Sequence, residues 1–236
     1  MLIYGRNPVL EALREGQVGQ VWVARGVENW LLKELEKLGA PYKLVPRIEL
    51  DQMVRTTQHQ GLVAEIEEAT YADPEAPFRL AQKRGEQLLL VVLDGVTDPR
   101  NYGALIRSAF ALGAHGVVTE ERRSAPLSAL VLKASAGTAR KIPLVQVKNI
   151  ARYLEQIKQQ GVWVYGTSGK VNKTIAELDY RRSLAVVIGS EGEGMRRLVT
   201  EHCDELARIP LAEGAESLNA AVALGVVLYQ VRLGRD

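Results

Sequence analysis

The chain has 236 residues, and its 30 Lys and Arg nearly balance its 28 Asp and Glu, giving a net charge of +2. Any contact with nucleic acid therefore has to come from local basic patches. A single cysteine excludes an internal disulfide and a CxxC metal cluster, and three scattered histidines do not predict a His-based metal centre. No stretch predicts a membrane span and the first residues lack the apolar core of a secretory signal, so we expect a cytoplasmic protein.

The N-terminal part predicts a small α/β domain, which we place at residues 1–72. A helix is expected to begin at Asn7-Pro8, because asparagine caps helices and proline suits their first turn. Short apolar runs and amphipathic stretches then alternate. They predict strands at 20–24, 42–46 and 61–68, and helices at 30–39 and 47–54.

A linker is predicted at residues 73–86, because this region holds prolines and shows little apolar periodicity. Its second half, from Arg79, also has the composition of a helix. Continuous apolar strands then alternate with helices over residues 87–236, which predicts a parallel sheet covered on both faces. The predicted strands are 88–94, 115–119, 142–147, 162–166, 184–189 and 206–211.

The stretch IGSEGEGM, Ile188 to Met195, lies between a predicted buried strand and a predicted helix. Glycines let the backbone turn sharply and let a ligand lie against bare N–H and C=O groups. Ligands of parallel sheets bind at the carboxyl ends of the strands. Carboxylates in the loop argue against a phosphate cradle and favour a ligand that is cationic or rich in donors. The alternative is an acidic surface turn.

Two further strand-to-helix loops should reach the same edge. In the first, Asn101 stands at a helix entrance and Arg107 lies inside an otherwise apolar helix, where an arginine needs a partner or has to reach solvent. In the other, a helix is expected to begin near Ser217, so that Ser217 and Asn219 are either site residues or helix caps. With Glu191 these side chains can orient a polyanion or a hydroxyl.

Three motifs carry a family resemblance. N-x-G-x-x-x-R at 101–107, IGSEGEG at 188–194 and IPL…ESLNAAVA at 209–223 resemble, in order and spacing, the motifs of the SpoU, or TrmH, RNA ribose 2′-O-methyltransferases. KASAGT at 133–138 and GVWVYGTS at 161–168 are also similar to that family. IYGRNPVLEAL and HQGLVAEI resemble the small ribosomal-protein-like RNA-binding domain of its RlmB-like subgroup.

The resemblance implies a SPOUT α/β domain with a C-terminal trefoil knot, preceded by an RNA-binding domain. It implies S-adenosylmethionine as methyl donor, no metal, and an obligatory homodimer with the active site near the subunit interface. The implied substrate is a guanosine ribose of large-subunit rRNA, with tRNA as the alternative. A non-catalytic RNA-binding or ribosome-assembly factor is a third possibility, which the intact motif residues argue against.

Residue roles also follow from the resemblance alone. The catalytic set it implies is Asn101, Arg107, Glu191, Ser217 and Asn219. The cofactor-binding set is Thr167, Ile188, Gly189, Gly194, Ile209, Leu211 and Leu218. Three basic pairs could contact RNA: Arg122-Arg123, Arg181-Arg182 and Arg196-Arg197. We select Arg122 and Arg123, because they follow a strand end beside the first motif.

The family assigns proton removal from the ribose 2′-hydroxyl to Arg107. A guanidinium is a poor base, so two roles stay open: binding the adjacent phosphate to position the ribose, or transient proton loss. We favour positioning, because alignment by itself can lower a barrier by roughly 7–11 kcal/mol in the best cases.

The last predicted helix, Leu218 to Leu233, is apolar around nearly its whole circumference. Such a helix has to be covered on every side, and one sheet covers only one side. The sequence therefore also predicts a two-fold dimer with this helix near the interface.

Overall fold

The computed structural model describes residues 2–14, 18–66 and 70–235 of the protein. The chain forms two compact units, Met1–Glu68 and Ala69–Asp236, and each unit has its own sheet and its own apolar core. No helix in the described ranges is long and apolar enough to cross a membrane.

The described residues of the first unit form a four-stranded sheet with three helices. Its elements are β1 (Leu2–Tyr4), α1 (Arg6–Arg14), β2 (Val18–Ala24), α2 (Asn29–Lys37), β3 (Tyr42–Val45), α3 (Arg47–Val54) and β4 (Leu62–Ile66). The strand order is β1-β4-β2-β3, with β2 parallel to β3 and the other pairs antiparallel. Strand β1 was not predicted, because three residues at a sheet edge are too few to show a period of two.

The second unit is a six-stranded, wholly parallel sheet in the order β10-β8-β9-β5-β6-β7. Its strands are β5 (Leu89–Asp94), β6 (Gly116–Glu120), β7 (Leu144–Val147), β8 (Trp163–Thr167), β9 (Leu184–Gly189) and β10 (Glu205–Ala207). Its helices are α4 (Ala76–Arg84), α5 (Pro99–Ala111), α6 (Ala129–Ala134), α7 (Ile150–Gln159), α8 (Arg197–Glu201) and α9 (Ala220–Leu233).

Both faces of this sheet are covered by helices, as the sequence predicts. Alternate residues of β5 show that each face has its own core, because successive side chains of a strand point to opposite faces. Leu89 and Val91 belong to a core shared with α5, α6 and α9. Leu90 and Val92 belong to a second core, shared with α4, α7 and α8.

The predicted linker at residues 73–86 contains a helix over most of its length, in agreement with the helical composition from Arg79 and not with an extended linker. Residues Ala76–Arg84 form helix α4, with Pro77 in its first turn and Gly85 as a left-handed C-cap. Ala81 of this helix is buried in the core of the second unit, and the first unit ends before residue 69. Two prolines suggested a linker, but one of them occupies a position where proline starts a helix.

The predicted start of the last helix also needs correction. Helix α9 begins at Ala220, and Asn219, rather than Ser217, is its N-cap. One face of α9 is buried through Leu224, Leu228 and Val231. The opposite face is exposed, so the helix is only half covered within the chain.

Candidate active site

Three polar side chains meet at the carboxyl edge of the six-stranded sheet: Asn101 from the first turn of α5, Glu191 from the glycine loop and Asn219 from the start of α9. The amide nitrogen of Asn219 donates to Oδ1 of Asn101 (3.2 Å) and to Oε1 of Glu191 (2.5 Å). The backbone N–H of Ala220 also donates to Oε1 of Glu191, at 3.3 Å. Glu191 therefore lies at the start of α9, where free N–H groups favour a carboxylate. Asn101, Glu191 and Asn219 are called the polar cluster below.

Helix capping places two members of this cluster. Asp98 caps α5, with its Oδ1 accepting from the N–H groups of Arg100 and Asn101 at 2.8 Å each. Asn219 caps α9 through its Oδ1, which accepts from Ala221 (2.9 Å) and Val222 (3.4 Å). Asn219 thus uses its oxygen as a helix cap and its nitrogen to join the cluster, so capping is only half of its role.

The glycine loop that carries Glu191 folds back on its own strand. Ser190 and Gly194 exchange backbone hydrogen bonds of 3.2 and 3.0 Å. A Cβ on Gly189 would lie only 2.1 Å from the carbonyl carbon of Gly194. Glycine is required at 189 by this close backbone approach, and Gly192 and Gly194 have the positive φ angles that glycine tolerates best.

An ion cluster lies beneath this loop. Arg196 donates through its backbone N–H to Oδ2 of Asp94 (2.7 Å) and through Nε to Oδ1 of the same carboxylate (2.6 Å). Its Nη1 also lies 2.9 Å from Oε2 of Glu120. Asp94 and Glu120 are the last residues of β5 and β6. The Asp94 side chain is fully buried, and that of Glu120 is 7% exposed.

The electrostatics of this ion cluster favour a charged arginine. Burial by itself lowers the pKa of Arg196, but hydrogen bonds and charge from Asp94 and Glu120 outweigh burial, so its pKa is raised. One guanidinium thus compensates two carboxylates that would be costly to bury alone.

Arg107 does not join the polar cluster. Its side chain is exposed on α5 and forms no hydrogen bond or ion pair with another residue of the described ranges. Six residues along a helix correspond to about 9 Å of rise and about 240° of rotation, so Asn101 and Arg107 face different directions. The exposed Arg107 agrees with the alternative in which its side chain reaches solvent, because the apolar positions around it belong to the other side of the helix.

The remaining site candidates, Ser217, Arg122 and Arg123, do not join the polar cluster. Ser217 is exposed, with no hydrogen bond to another described residue. Arg122 and Arg123 are exposed in the turn after β6. Of the other basic pairs, Arg196 is held in the ion cluster and Arg197 pairs with Glu201 at 2.5 Å. Arg181 and Arg182 both bind Asp179.

Comparison with known proteins identifies the family. Residues 88–229 match the SpoU rRNA Methylase family, and residues 2–72 match the RNA 2′-O ribose methyltransferase substrate-binding domain. The chain belongs to the SpoU rRNA methylase family.

Relatives match the SpoU chain over nearly its whole length. It is 41% identical to YacO of Bacillus subtilis, which is named for the TrmH family of tRNA/rRNA methyltransferases, over 99% of this chain and 96% of YacO. It is also 41% identical to the 23S rRNA (guanosine-2′-O-)-methyltransferase RlmB of Pseudomonas aeruginosa, over 97% of this chain and 94% of that protein.

A solved structure supports the same assignment. The AdoMet-bound rRNA methyltransferase of Sinorhizobium meliloti is 25% identical, with a TM-score of 0.67 over 98% of this chain and 86% of the other. The predicted SPOUT sheet, the S-adenosylmethionine-dependent RNA methyltransferase class and the methyl donor are confirmed by these findings. The knot stays a prediction.

The loops of this SpoU protein fit the methyl donor. The backbone N–H groups of Ile209, Leu211 and Leu218 make no hydrogen bond to any described residue, so they are free to bind a ligand. The predicted residues Ile188 and Gly189 end β9, and Thr167 ends β8 with its hydroxyl donating to the carbonyl of Val187 (3.2 Å). Gly194 lies in the exposed glycine loop.

Sequence reasoning missed the ion cluster. The available signal was a carboxylate at the end of each of two apolar strands, LLVVLD and GVVTE. The sequence shows Arg196 and Arg197 as one basic pair, because nothing in the local sequence distinguishes an arginine held by buried carboxylates from its exposed neighbour.

We predict that Arg196→Ala lowers the free energy of unfolding by about 3–5 kcal/mol, because it leaves two buried carboxylates without a compensating cation. Arg197→Ala is the matched control, since it removes an exposed ion pair worth at most about 1 kcal/mol. Urea unfolding of both variants, followed by circular dichroism, measures the difference. Equal stability of the two variants would contradict the role assigned to the ion cluster.

Proposed function

We propose that this protein methylates the 2′-hydroxyl of a guanosine in 23S rRNA. The observation that carries the proposal is the polar cluster, which joins the three SpoU motifs through Asn101, Glu191 and Asn219. The full-length likeness to the RlmB protein of Pseudomonas aeruginosa supports the substrate. We expect the reaction to take place in the cytoplasm.

The geometry suggests a division of labour among the residues. When bound, S-adenosylmethionine supplies a methyl group on a positively charged sulfur. The polar cluster holds the glycine loop and the start of α9 in place, and the free backbone groups of Ile209, Leu211 and Leu218 hold the methyl donor. Arg107 is exposed and unpaired in the described structure, so its guanidinium is available to bind the phosphate beside the target ribose and align the 2′-oxygen.

The experiment that tests this function is incubation of the protein with S-adenosylmethionine labelled in its methyl group and separate pools of 23S rRNA and tRNA. We expect label on the ribose of one guanosine of 23S rRNA. Label on tRNA would favour the tRNA alternative, to which the name of YacO also points. No label on either RNA, despite bound methyl donor, would favour a non-catalytic RNA-binding factor.

We predict that Arg107→Ala reduces methylation at least a hundredfold while the affinity for S-adenosylmethionine changes by less than about threefold, because alignment of the ribose is lost and the cofactor loops are intact. Arg107→Lys keeps the charge but not the bidentate fork, and should recover only part of the activity.

Arg152→Ala on α7 is the control, since it removes an exposed arginine from the other face of the sheet. Methyl-transfer assays and calorimetric titration give the two readouts. A parallel loss of cofactor binding in Arg107→Ala would instead assign a structural role to Arg107.

We further propose that the protein acts as a homodimer through the exposed face of α9. Val222, Val226, Tyr229 and Leu233 are 38–57% exposed and follow the helical spacing of one continuous stripe. An apolar stripe of this kind on an otherwise ordinary surface marks an interaction site. A second copy of the same helix is the simplest cover, because a two-fold axis lets one stripe meet itself.

We predict that Val226→Glu converts the dimer to a folded monomer with little activity, because the introduced charge would be buried at the interface. Val226 is a sharper probe than Val227, which is buried within the protomer. Leu198→Glu, at an exposed leucine on α8, is the control. Light scattering at micromolar concentration gives the mass, and an unmodified protein that is already monomeric would refute the interface.

The two units suggest separate tasks. We propose that residues 1–72 bind the RNA substrate, and that residues 87–236 bind the methyl donor and carry the catalytic set, with Arg122 and Arg123 as additional RNA contacts. The match of residues 2–72 to a substrate-binding family supports this division.

A further inference from the structure

The first unit contains a cavity of about 580 Å³ that the methyl-transfer site does not use. It is lined by residues from the starts of α1, α2 and α3 and from the loops before α2 and before β4. The lining side chains that carry the argument are Arg6, Arg25, Glu28, Trp30, Arg47 and Gln60.

Arg6 is held at this cavity by contacts within the first unit, including one with Trp30. The Arg6 guanidinium pairs with Glu28, and its Nε donates to the carbonyl of Gln60 at 3.3 Å. The same guanidinium lies over the Trp30 ring, 5.4 Å from its centroid. Trp30 is nevertheless 49% exposed. One face of the indole is therefore covered by a fixed cation, and the ring still has surface on which a second planar group can stack.

Arg25 and Arg47 supply charge that the protein itself does not neutralise. Both are exposed, and neither side chain forms a hydrogen bond or an ion pair with another residue in the described ranges. Arg25 follows β2 and Arg47 follows β3, and these two parallel strands end at the same edge of the sheet. Two free guanidiniums at one cavity match the oxygens of a phosphate group.

The three arginines of this cavity contrast with the net negative charge of the first unit. Residues 1–68 contain eight Lys and Arg against ten Asp and Glu, which is a net charge of −2. The unit as a whole therefore does not attract a polyanion, and three of its eight basic residues line this one cavity. Attraction of RNA to this unit has to act locally, where a stacking ring lies beside the charges.

We propose that this cavity binds one unpaired nucleotide of the RNA substrate, with its base stacked on Trp30 and its phosphate held by Arg25 and Arg47. The assignment rests on the proposed function, since it specifies how the substrate is recognised. An unpaired nucleotide is favoured over a paired one because the base has to leave its helix to reach the ring. A cavity of this size has room for a nucleotide.

The test uses the full-length protein and three probes: an RNA hairpin with a single-stranded loop, a fully paired RNA duplex of the same length, and 5′-guanosine monophosphate. We expect Trp30→Ala to weaken hairpin binding about tenfold or more, and Trp30→Phe, which keeps a ring, to recover most of the affinity. Duplex binding should not change in either variant.

The phosphate contact is tested by the double variant Arg25→Ala with Arg47→Ala. We expect weaker hairpin binding and a salt dependence shallower by about two counterions. The matched control is Lys37→Ala with Lys43→Ala, which removes the same charge from the same unit outside the cavity. Equal effects of the two double variants, or unchanged binding in Trp30→Ala, would overturn the proposal.

Two further readouts separate the sources of failure. If 5′-guanosine monophosphate binds at this cavity more tightly than the hairpin, the ligand is a free nucleotide and the RNA assignment is wrong. Methyl transfer is measured in parallel over a range of RNA concentrations up to saturation, and the Trp30 variants should raise KM and leave kcat within about twofold. An unmodified protein that binds the hairpin through Trp30 but transfers no methyl group would refute the proposed function and leave the nucleotide site standing.

Discussion

The ion cluster of Asp94, Glu120 and Arg196 is the constraint on which the methyltransferase unit depends. It joins the ends of two central strands to the chain that returns from the glycine loop. Buried carboxylates are tolerated only when a cation compensates them, so this chain segment has to lie where Arg196 can reach both. The start of α8 and the path of the glycine loop follow from that requirement. Arg196 is thereby committed to the fold and is not free to contact RNA.

The carboxyl edge of the six-stranded sheet carries a hydrogen-bonded polar cluster and, separately from it, the exposed Arg107. The polar cluster is held by hydrogen bonds to backbone and side chains on three loops, and Gly189 allows the chain to pass directly over its own strand. Arg107 lies on α5, the helix that also carries Asn101, but it is exposed and unpaired among the described residues. Rigid loops suit binding of a small methyl donor, whereas an unpaired guanidinium suits a substrate that arrives with its own phosphates.

Charge is distributed unequally between the two units. The second unit has 22 Lys and Arg against 18 Asp and Glu in residues 69–236, and the first has a net charge of −2. A near-neutral total thus conceals a basic methyltransferase unit and an acidic unit with one basic cavity. Overall net charge is therefore a poor guide to RNA binding in this protein, and the local placement of arginines decides it.

The sequence by itself determined the classes of element and the family. Apolar strands such as LAVVIG alternate with helices, a pattern that is typical of a buried parallel sheet, and the three motifs resemble those of the methyltransferase family. Helix ends were harder to predict from the sequence. Ser217 and Asn219 are equally good caps locally, and only the position of Glu191 makes Asn219 the one used. Likewise Pro77 reads as a linker residue until α4 is seen packed on the sheet.

Only the tertiary structure decided which charged residues are partners. Arg196 and Arg197 are adjacent in the chain, yet one compensates buried carboxylates and the other binds an exposed glutamate on its own helix. Asn101 and Glu191 are 90 residues apart and meet through Asn219. Local patterns report how each segment is buried, but contacts across a sheet edge depend on strand order and register, which no short stretch of sequence contains.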